Sequence, residues 1–190
     1  LVVGIGVSPA TGWLDGSGLA LRDGVVCDAH LNALDESGAP VDGVFAAGDV
    51  ARWPNSLFDE EMRVEHWTNA AEQGALAATN LVHLAAGESP EPYEPLPFFW
   101  SDQFDARIQF LGRATADAVV DVVAGNTADG KWCAIYSVNN RLTGVLGVSM
   151  PKLVMPSRAL LSTHTSRTDA LAHFERILAA QAAAAPPPAR

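Results

Sequence analysis

The sequence predicts an α/β segment followed by an α+β segment that contains an antiparallel sheet. The first half carries apolar runs that end at Gly or Asp turns and precede a long helix rich in Ala and Leu. The second half carries four apolar or alternating runs separated by turns rich in Gly, Asn and Asp. Between the halves, residues 88–97 contain four prolines, a composition typical of a linker.

Length and composition are those of a globular chain with one or two domains. The 190 residues are 48% hydrophobic and 18% charged. No apolar stretch approaches the roughly 20 residues of a membrane span, and no signal-peptide pattern opens the chain. Cys27 and Cys133 form no CxxC pair, so we expect two buried free thiols in a reducing cytoplasm.

The net charge of −10 is distributed unevenly. Residues 1–96 carry 3 basic against 15 acidic side chains, whereas residues 97–190 carry 9 basic against 7 acidic ones. No dense basic stripe is present, so we expect no nucleic-acid partner and no membrane surface. The change of charge near residue 96 supports two separate regions.

The first residues predict a strand and a turn. Residues 1–6 form an apolar run typical of a buried strand, and residues 6–12 are predicted to be a loop. Gly4 and Gly6 resemble the start of a dinucleotide-binding GxGxxG pattern, but Pro9 stands at the third glycine. Because proline removes a backbone donor, we predict an ordinary turn. The chain starts inside a strand without Met, so we expect a piece of a longer protein.

Further along the first half, short strands are predicted over residues 24–28 and 43–47. Pro and Asn predict a loop over residues 53–55. Helical spacing predicts a helix over residues 69–86, with Thr68 or a neighbour as its N-cap and Gly87 as its C-terminal stop. The apolar positions at this spacing are Ala71, Ala75, Ala78, Leu81, Val82 and Ala85.

The second half is predicted to be an antiparallel meander followed by helices. The strands are expected over residues 106–111, 118–124, 132–138 and 142–150. Two helices are expected near residues 152–161 and 168–182. Residues 183–190 contain three consecutive prolines and are predicted to be a disordered tail.

The most informative pattern is the apolar run over residues 44–47 that ends in Gly48 and Asp49. Glycine lets a backbone turn close to a ligand, and open α/β sheets place ligands beyond the carboxyl ends of their strands. Asp49 could accept hydrogen bonds from the hydroxyls of a sugar or polyol. An ordinary Gly-Asp turn after a strand explains the same residues.

A second pattern, Glu65, His66 and Trp67, lies at the start of the predicted helix. The N–H groups and partial positive charge of a helix N-terminus could stabilise negative charge on the N1–C2=O edge of a flavin. Each residue also has a structural explanation: a first-turn carboxylate, a surface imidazole and a packed aromatic ring.

A third pattern contains four aromatic residues within residues 98–104. These residues could form a domain seam or the wall of a cofactor pocket. Trp100 is then the candidate for stacking on a ring.

Together, residues 45–51, 65–70 and 97–103 resemble the FAD-dependent ferredoxin reductases of oxygenase systems. Their sequences here are FAAGDVA, EHWTNA and PFFWSDQ. The family includes the reductases for putidaredoxin and biphenyl dioxygenase ferredoxins, and apoptosis-inducing factor is a relative. Residues 3–11 are also similar to the end of the family's NAD domain, and the resemblance covers roughly residues 1–150.

The resemblance implies a function and a set of cofactor contacts. NAD(P)H would reduce FAD, which would pass electrons to an iron–sulfur ferredoxin or rubredoxin. Asp49 with Gly48 would contact the ribityl chain, and Trp67 would offer its backbone N–H to the pyrimidine edge. Glu65 and His66 would lie at the nicotinamide side, and Trp100 near the flavin or nicotinamide ring. We assign no residue to catalysis or to a metal.

The resemblance also implies a glutathione-reductase-like domain pair, of which only parts are present. Residues 1–12 would end the NAD domain, residues 13–96 would be the C-terminal part of the FAD domain, and residues 97–182 would be the reductase C-terminal domain. Both GxGxxG segments of the family are missing, so we expect this chain alone to be inactive. Exposed apolar strand edges would then favour self-association.

Two other interpretations remain. The chain could be a folded interaction or dimerisation domain whose flavin residues are unused. It could also come from a flavin disulfide reductase, but residues 162–165 lack the His-Glu pair of that family.

Overall fold

The computed structural model describes residues 1–184, and the chain divides into two compact units between Pro97 and Phe98. Within the described residues, the first unit contains two small sheets and one long helix. The second unit contains a five-stranded sheet and three helices.

Residues 1–11 form no strand, so the predicted buried strand over residues 1–6 is wrong. The side chains of Val2 and Ile5 are 97% and 89% exposed. An extended segment becomes a strand only when neighbouring strands satisfy its N–H and C=O groups. Among the described residues, no strand pairs with this segment.

The first unit retains one parallel strand pair. Strand β1 (Val25–Val26) runs parallel to β4 (Ala51–Asn55), and β4 is antiparallel to β5 (Glu60–Arg63). Strands β2 (Asn32–Leu34) and β3 (Pro40–Phe45) form a separate antiparallel pair. The strand predicted over residues 24–28 is therefore present in shortened form.

The strand that precedes Asp49 differs from its prediction. Residues 43–47 were expected to form a buried strand, but β3 ends at Phe45 and carries only half-buried and exposed residues. Only Ala46 of the apolar run is buried. Because β3 pairs with β2 on one side only, its other edge and part of its surface stay open.

The loop predicted over residues 53–55 is also wrong, because these residues belong to β4. Trp53 is 0% exposed and packs against Tyr93, with 5.4 Å between the ring centroids. The pairing of β4 with β1 covers only Ala51 and Arg52. Pro54 therefore lies where one edge of β4 is open, a place where strands tolerate proline.

Helix α1 (Trp67–Ala85) is present close to its predicted range, with His66 as N-cap. Its buried face was not predicted: it consists of Asn69, Gln73, Ala77 and Asn80. The apolar positions at helical spacing are all exposed in this structure, Leu81 to 45% and Val82 to 66%. The buried face is polar because its side chains bind the backbone of neighbouring segments.

The exposed apolar face of α1 leads to a testable prediction. We expect the chain to self-associate and the double substitution Leu81→Lys, Val82→Lys to raise the dissociation constant by about tenfold or more, because apolar burial contributes about 25 cal/mol per Å². Light scattering as a function of concentration measures this. Thr79→Lys adds a charge at an exposed polar position of the same helix and serves as the control. An unchanged mass distribution in the double variant would contradict the prediction.

The proline-rich segment over residues 88–97 packs onto the first unit although it forms no helix or strand. Tyr93 and Leu96 are buried, and the Tyr93 N–H donates to the Ala29 carbonyl at 2.8 Å. Asn80 also binds the N–H and C=O groups of Glu91 at 2.8 Å each. This segment is therefore fixed in the first unit.

The second unit is built on one antiparallel sheet. Its strands are β6 (Phe98–Gln103), β7 (Ala106–Gly112), β8 (Val119–Asn126), β9 (Lys131–Val138) and β10 (Arg141–Val148). They are arranged in the order β6-β7-β10-β9-β8. The predicted meander holds for β8, β9 and β10, but β7 pairs with β10 instead of β8, which gives a Greek-key connection.

Short helices and one long helix cover this sheet. They are α2 (Pro151–Val154), α3 (Arg158–Ser162) and α4 (Arg167–Ala184). The single helix expected near residues 152–161 is divided into α2 and α3 by a 3₁₀ turn over Met155–Ser157, and α4 is close to its predicted range. Their buried residues belong to the core of this unit: Leu153, Val154, Leu161, Ala170 and Phe174. Residues 183 and 184 still belong to α4, and the tail predicted beyond them lies outside the described residues.

Across the described range, 1–184, no helix is both long and apolar enough to cross a membrane.

Candidate functional site

Asp49 lies in a short 3₁₀ turn, Gly48–Val50, between β3 and β4. Gly48 has a φ of +75°, a conformation that glycine adopts without steric cost. A Cβ atom at this position would lie 3.4 Å from Cβ of Ala70 on α1. The turn therefore packs against the first turns of α1 while the Asp49 side chain is exposed.

The two backbone groups of this turn are bound by side chains from two other elements. The Gly48 N–H donates to Oε1 of Gln73 at 2.7 Å, in the interior of the unit. Nη1 of Arg63 donates to the Asp49 carbonyl oxygen at 3.0 Å. The turn is thus fixed without any use of the Asp49 carboxylate.

The N-terminus of α1 lies next to this turn. His66 has an extended backbone, its carbonyl accepts the first helical hydrogen bond from Ala70 at 3.0 Å, and its side chain makes no cap. The first turn of α1 contains no acidic residue, and Trp67, its first residue, is 90% exposed. This helix end offers N–H donors and a partial positive charge to a ligand.

Arg63 joins the site to neighbouring carboxylates. Its side chain is 9% exposed and pairs with Glu65 and, at 3.2 Å, with Asp23. Burial lowers the pKa of Arg63, but the hydrogen bonds and charges of Asp23 and Glu65 outweigh burial and raise the pKa above its usual value. Arg63 is therefore a permanent positive charge beneath Asp49 and Glu65.

His66, at the N-cap of α1, is half-buried. Burial lowers the pKa of its imidazole, and the negative charges of Asp49 and Glu65 oppose this effect without cancelling it. The imidazole is consequently neutral at pH 7.

The structure thus places five predicted site residues around one turn and one helix end of the first unit: Gly48, Asp49, Glu65, His66 and Trp67. Trp100 lies in the second unit, on β6, and is 42% exposed. Its ring lies 5.8 Å from that of Phe98, and the Arg107 guanidinium lies 5.5 Å from its ring centroid.

Sequence reasoning missed Gln73 and Arg63. The signal for Gln73 was the helical spacing of the amides Asn69, Gln73 and Asn80 in an otherwise Ala-rich helix. Arg63 is one of only three basic residues among residues 1–96, and its place two residues before Glu65 was a second signal.

Neither cysteine belongs to the turn or to the helix end that form this site. Cys27 and Cys133 are free and buried, and burial raises the pKa of each thiol to about 12. In the part of the chain that the structure describes, no group of three or more His, Cys, Asp or Glu side chains could hold a metal.

Comparison with known proteins identifies two family segments. Residues 1–74 match the pyridine nucleotide-disulphide oxidoreductase family, and residues 98–181 match the reductase C-terminal family. The two segments fall in the two structural units described above.

Individual relatives agree with these matches. The ferredoxin–NAD(+) reductase component of the anthranilate 1,2-dioxygenase system of Burkholderia cepacia is 32% identical over 163 residues, which cover 85% of this chain and 37% of that protein. Rhodocoxin reductase of Rhodococcus erythropolis is 33% identical over 168 residues, which cover 88% of this chain and 36% of that protein.

A solved structure gives the same result for the fold. The covalent complex of putidaredoxin reductase and putidaredoxin contains a chain that is 26% identical, with a TM-score of 0.70 over 94% of this chain and 42% of that one. This chain therefore spans less than half the length of the proteins it matches.

These matches confirm the predicted fold class and the resemblance inferred from the sequence motifs. Residues 1–74 are similar to the pyridine nucleotide-disulphide oxidoreductase family, residues 98–181 are similar to the reductase C-terminal family, and the chain as a whole is similar to the C-terminal part of ferredoxin reductases.

Proposed function

We propose that this chain is the C-terminal part of an enzyme, an FAD-dependent NAD(P)H:ferredoxin oxidoreductase that serves an oxygenase. The observation that carries the proposal is the pairing of an exposed carboxylate, Asp49, with the N-terminus of α1 across a glycine turn. This pairing matches the two needs of a flavin with its ribityl chain: an acceptor for hydroxyl groups, and donors for a polar ring edge.

The residues present fit this part of FAD. The Asp49 carboxylate is exposed and free to accept hydrogen bonds from ribityl hydroxyls, since the turn is held by backbone groups. Gly48 has no side chain to obstruct the approach of a ligand. The Trp67 N–H and the helix end would bind the pyrimidine edge and favour negative charge there.

Other residues would act at the nicotinamide side. When bound, FAD supplies hydride acceptance from NAD(P)H and single-electron transfer to an iron–sulfur protein. The neutral His66 and the Glu65 carboxylate, fixed by Arg63, would shape the approach of the nicotinamide. Trp100 is proposed as the aromatic residue near the flavin or nicotinamide ring.

The proposed partner is a ferredoxin or rubredoxin. The anthranilate dioxygenase relative is named a ferredoxin reductase component, which supports an iron–sulfur partner. The basic excess over residues 97–190 would steer an acidic partner, while the strongly acidic first half would repel it.

We assign the segments of the chain to domains on the same basis. Residues 1–12 end an NAD domain, residues 13–96 belong to an FAD domain, and residues 97–182 form the reductase C-terminal domain. Two buried free cysteines support a cytoplasmic location, since disulfides are rare there.

The proposal predicts that FAD binding depends on Asp49. In the natural polypeptide that contains this chain, Asp49→Ala should raise the Kd for FAD by about 10- to 100-fold, since hydrogen bonds to charged groups contribute about 1.5–3 kcal/mol. Flavin absorbance and fluorescence titrations measure this. The 190-residue chain alone should bind FAD weakly or not at all.

Asp42→Ala removes another exposed carboxylate of the same unit, on β3, and should leave the Kd unchanged. The alternative is a folded interaction domain, which the exposed apolar face of α1 favours. If the natural polypeptide does not bind FAD, or if Asp49→Ala changes the Kd for FAD no more than Asp42→Ala does, the flavin proposal fails.

A further inference from the structure

The turn that carries Asp49 is held in an unusual way. It connects β3 of one small sheet to β4 of another, so no continuous strand ladder fixes it. Its first N–H is bound by Gln73, and the Asp49 carbonyl is bound by Arg63. Side chains from two separate elements therefore set the direction in which the carboxylate points.

Gln73 is an unusual choice for its position if packing alone mattered. The residue is 0% exposed, and its Nε2 atom makes no hydrogen bond within the described residues. A buried amide with an unsatisfied donor is destabilising, and an apolar side chain of similar volume would avoid this cost. What the amide adds is the acceptor at 2.7 Å from the Gly48 nitrogen.

The other buried amides of α1 indicate what this helix face does. Asn69 donates to the Val64 carbonyl at 3.1 Å, and Asn80 donates to the carbonyls of His30 and Glu91 at 2.9 and 2.8 Å. Each amide fixes the backbone of a different segment against α1. The segment that Gln73 fixes is the one that presents Asp49.

We propose that Gln73 is a positioning residue that acts through Asp49: its carbonyl holds the Gly48 N–H and so directs the Asp49 carboxylate toward the ribityl chain of FAD. This inference rests on the proposed function, because it names what Asp49 binds. Its first step, the control of the turn by Gln73, is measurable without any flavin.

The first experiment measures hydrogen exchange of the Gly48 amide in the 190-residue chain. Gln73→Met keeps the volume but removes the acceptor, and we expect exchange at Gly48 to accelerate about tenfold or more. Gln73→Glu keeps an acceptor oxygen and should largely restore protection. Leu76→Ala loosens the packing of the same helix without touching this bond, so it should accelerate exchange evenly across the unit with no excess at Gly48.

The second experiment is a double-mutant cycle on FAD affinity in the natural polypeptide. Gln73→Met alone should raise the Kd by about 3- to 10-fold. In the Asp49→Ala background, the same substitution should change the Kd by less than about twofold, because the residue through which Gln73 acts is gone.

The outcomes separate the two proposals. If Asp49→Ala weakens FAD binding but Gln73→Met weakens it equally in both backgrounds, Gln73 does not act through Asp49 and the inference is overturned. If Gly48 exchanges no faster in Gln73→Met than in Leu76→Ala, the control of the turn is absent and the inference also fails. If Asp49→Ala leaves the Kd unchanged, the proposed flavin contact fails first and the inference with it.

Discussion

Replacing Trp53 by alanine should destabilise the first unit by about 3–5 kcal/mol. Trp53 is 0% exposed, is the largest fully buried side chain among the described residues, and packs against Tyr93 with 5.4 Å between the ring centroids. Its removal leaves a cavity between β4 and the segment over residues 88–97. Because native domains are stable by only about 5–15 kcal/mol, this loss is a large fraction of the total.

Hydrogen exchange of the β4 and β1 amides measures this effect, since it reports the opening of the first unit alone. Trp13→Ala is the matched control: it removes the same side chain in the same unit at a position that is 81% exposed, and should cost less than about 0.5 kcal/mol. Equal losses in the two variants would show that Trp53 does not anchor this core.

The effect of Trp53 should extend to the candidate site. β4 begins at Ala51, directly after the Gly48–Val50 turn, and Trp53 anchors this strand two residues further on. A loosened β4 allows the turn to shift relative to α1, so FAD affinity should fall in Trp53→Ala as well.

Trp53 also illustrates why part of the fold was not predictable. Pro54 and Asn55 are turn residues in most contexts, and a local pattern gives them that meaning here. Residues 53–55 belong to a strand because they pair with β5, and Pro54 is tolerated there because β1 pairs only with Ala51 and Arg52 and leaves the other edge of β4 open. The position of this open edge depends on β1, which lies 26 residues earlier in the chain, as the Val25–Ala51 pairing shows.

The predicted strand over residues 1–6 is wrong, and the buried face of α1 was not predicted, for related reasons. Residues 1–6 have the composition of a buried strand, but composition does not provide the neighbouring strands that a ladder requires. In α1, periodicity correctly gives a helix with an apolar face, but it cannot decide whether that face or the amide face lies inside. Asn69, Gln73 and Asn80 lie inside because each finds backbone groups to bind.

Where signals are local, the sequence predicted the structure well. Strands β7 to β10 alternate with turns such as Asn139 and Asn140, both in the left-handed conformation that asparagine tolerates. Gly87 lies two residues beyond the end of α1 with a φ of +76°. These features depend on residues within a few positions of each other.

The candidate site was predicted only in part from the sequence. The pairing of Asp49 with Glu65 and His66 was expected only from the family resemblance, because no spacing rule brings a strand end to a helix start. The contacts of Gln73 and Arg63 with the turn span 25 and 14 residues, and only the folded unit brings them into contact.

In the second unit, Gly112→Ala should cost about 3–5 kcal/mol. Gly112 ends β7 with a φ of +98°, and it pairs with Gly144 of β10. A Cβ atom there would collide with the Thr143 carbonyl oxygen and lie 3.0 Å from Cα of Gly144. Both obstacles are backbone atoms, so the collision is relieved only if β7 moves away from β10. This movement would break the hydrogen bond from the Arg113 N–H to the Thr143 carbonyl, which is 2.7 Å long.

Gly130→Ala is the control that separates the effect of a steric collision from the effect of a left-handed backbone conformation. Gly130 has a φ of +64°, but a Cβ atom at this position meets nothing within 4 Å. Its substitution should therefore cost only the left-handed strain, about 1–2 kcal/mol. Hydrogen exchange of the β10 amides follows both variants. A cost for Gly112→Ala no greater than that for Gly130→Ala would mean that β7 and β10 can separate freely, and that close backbone packing does not hold the sheet together.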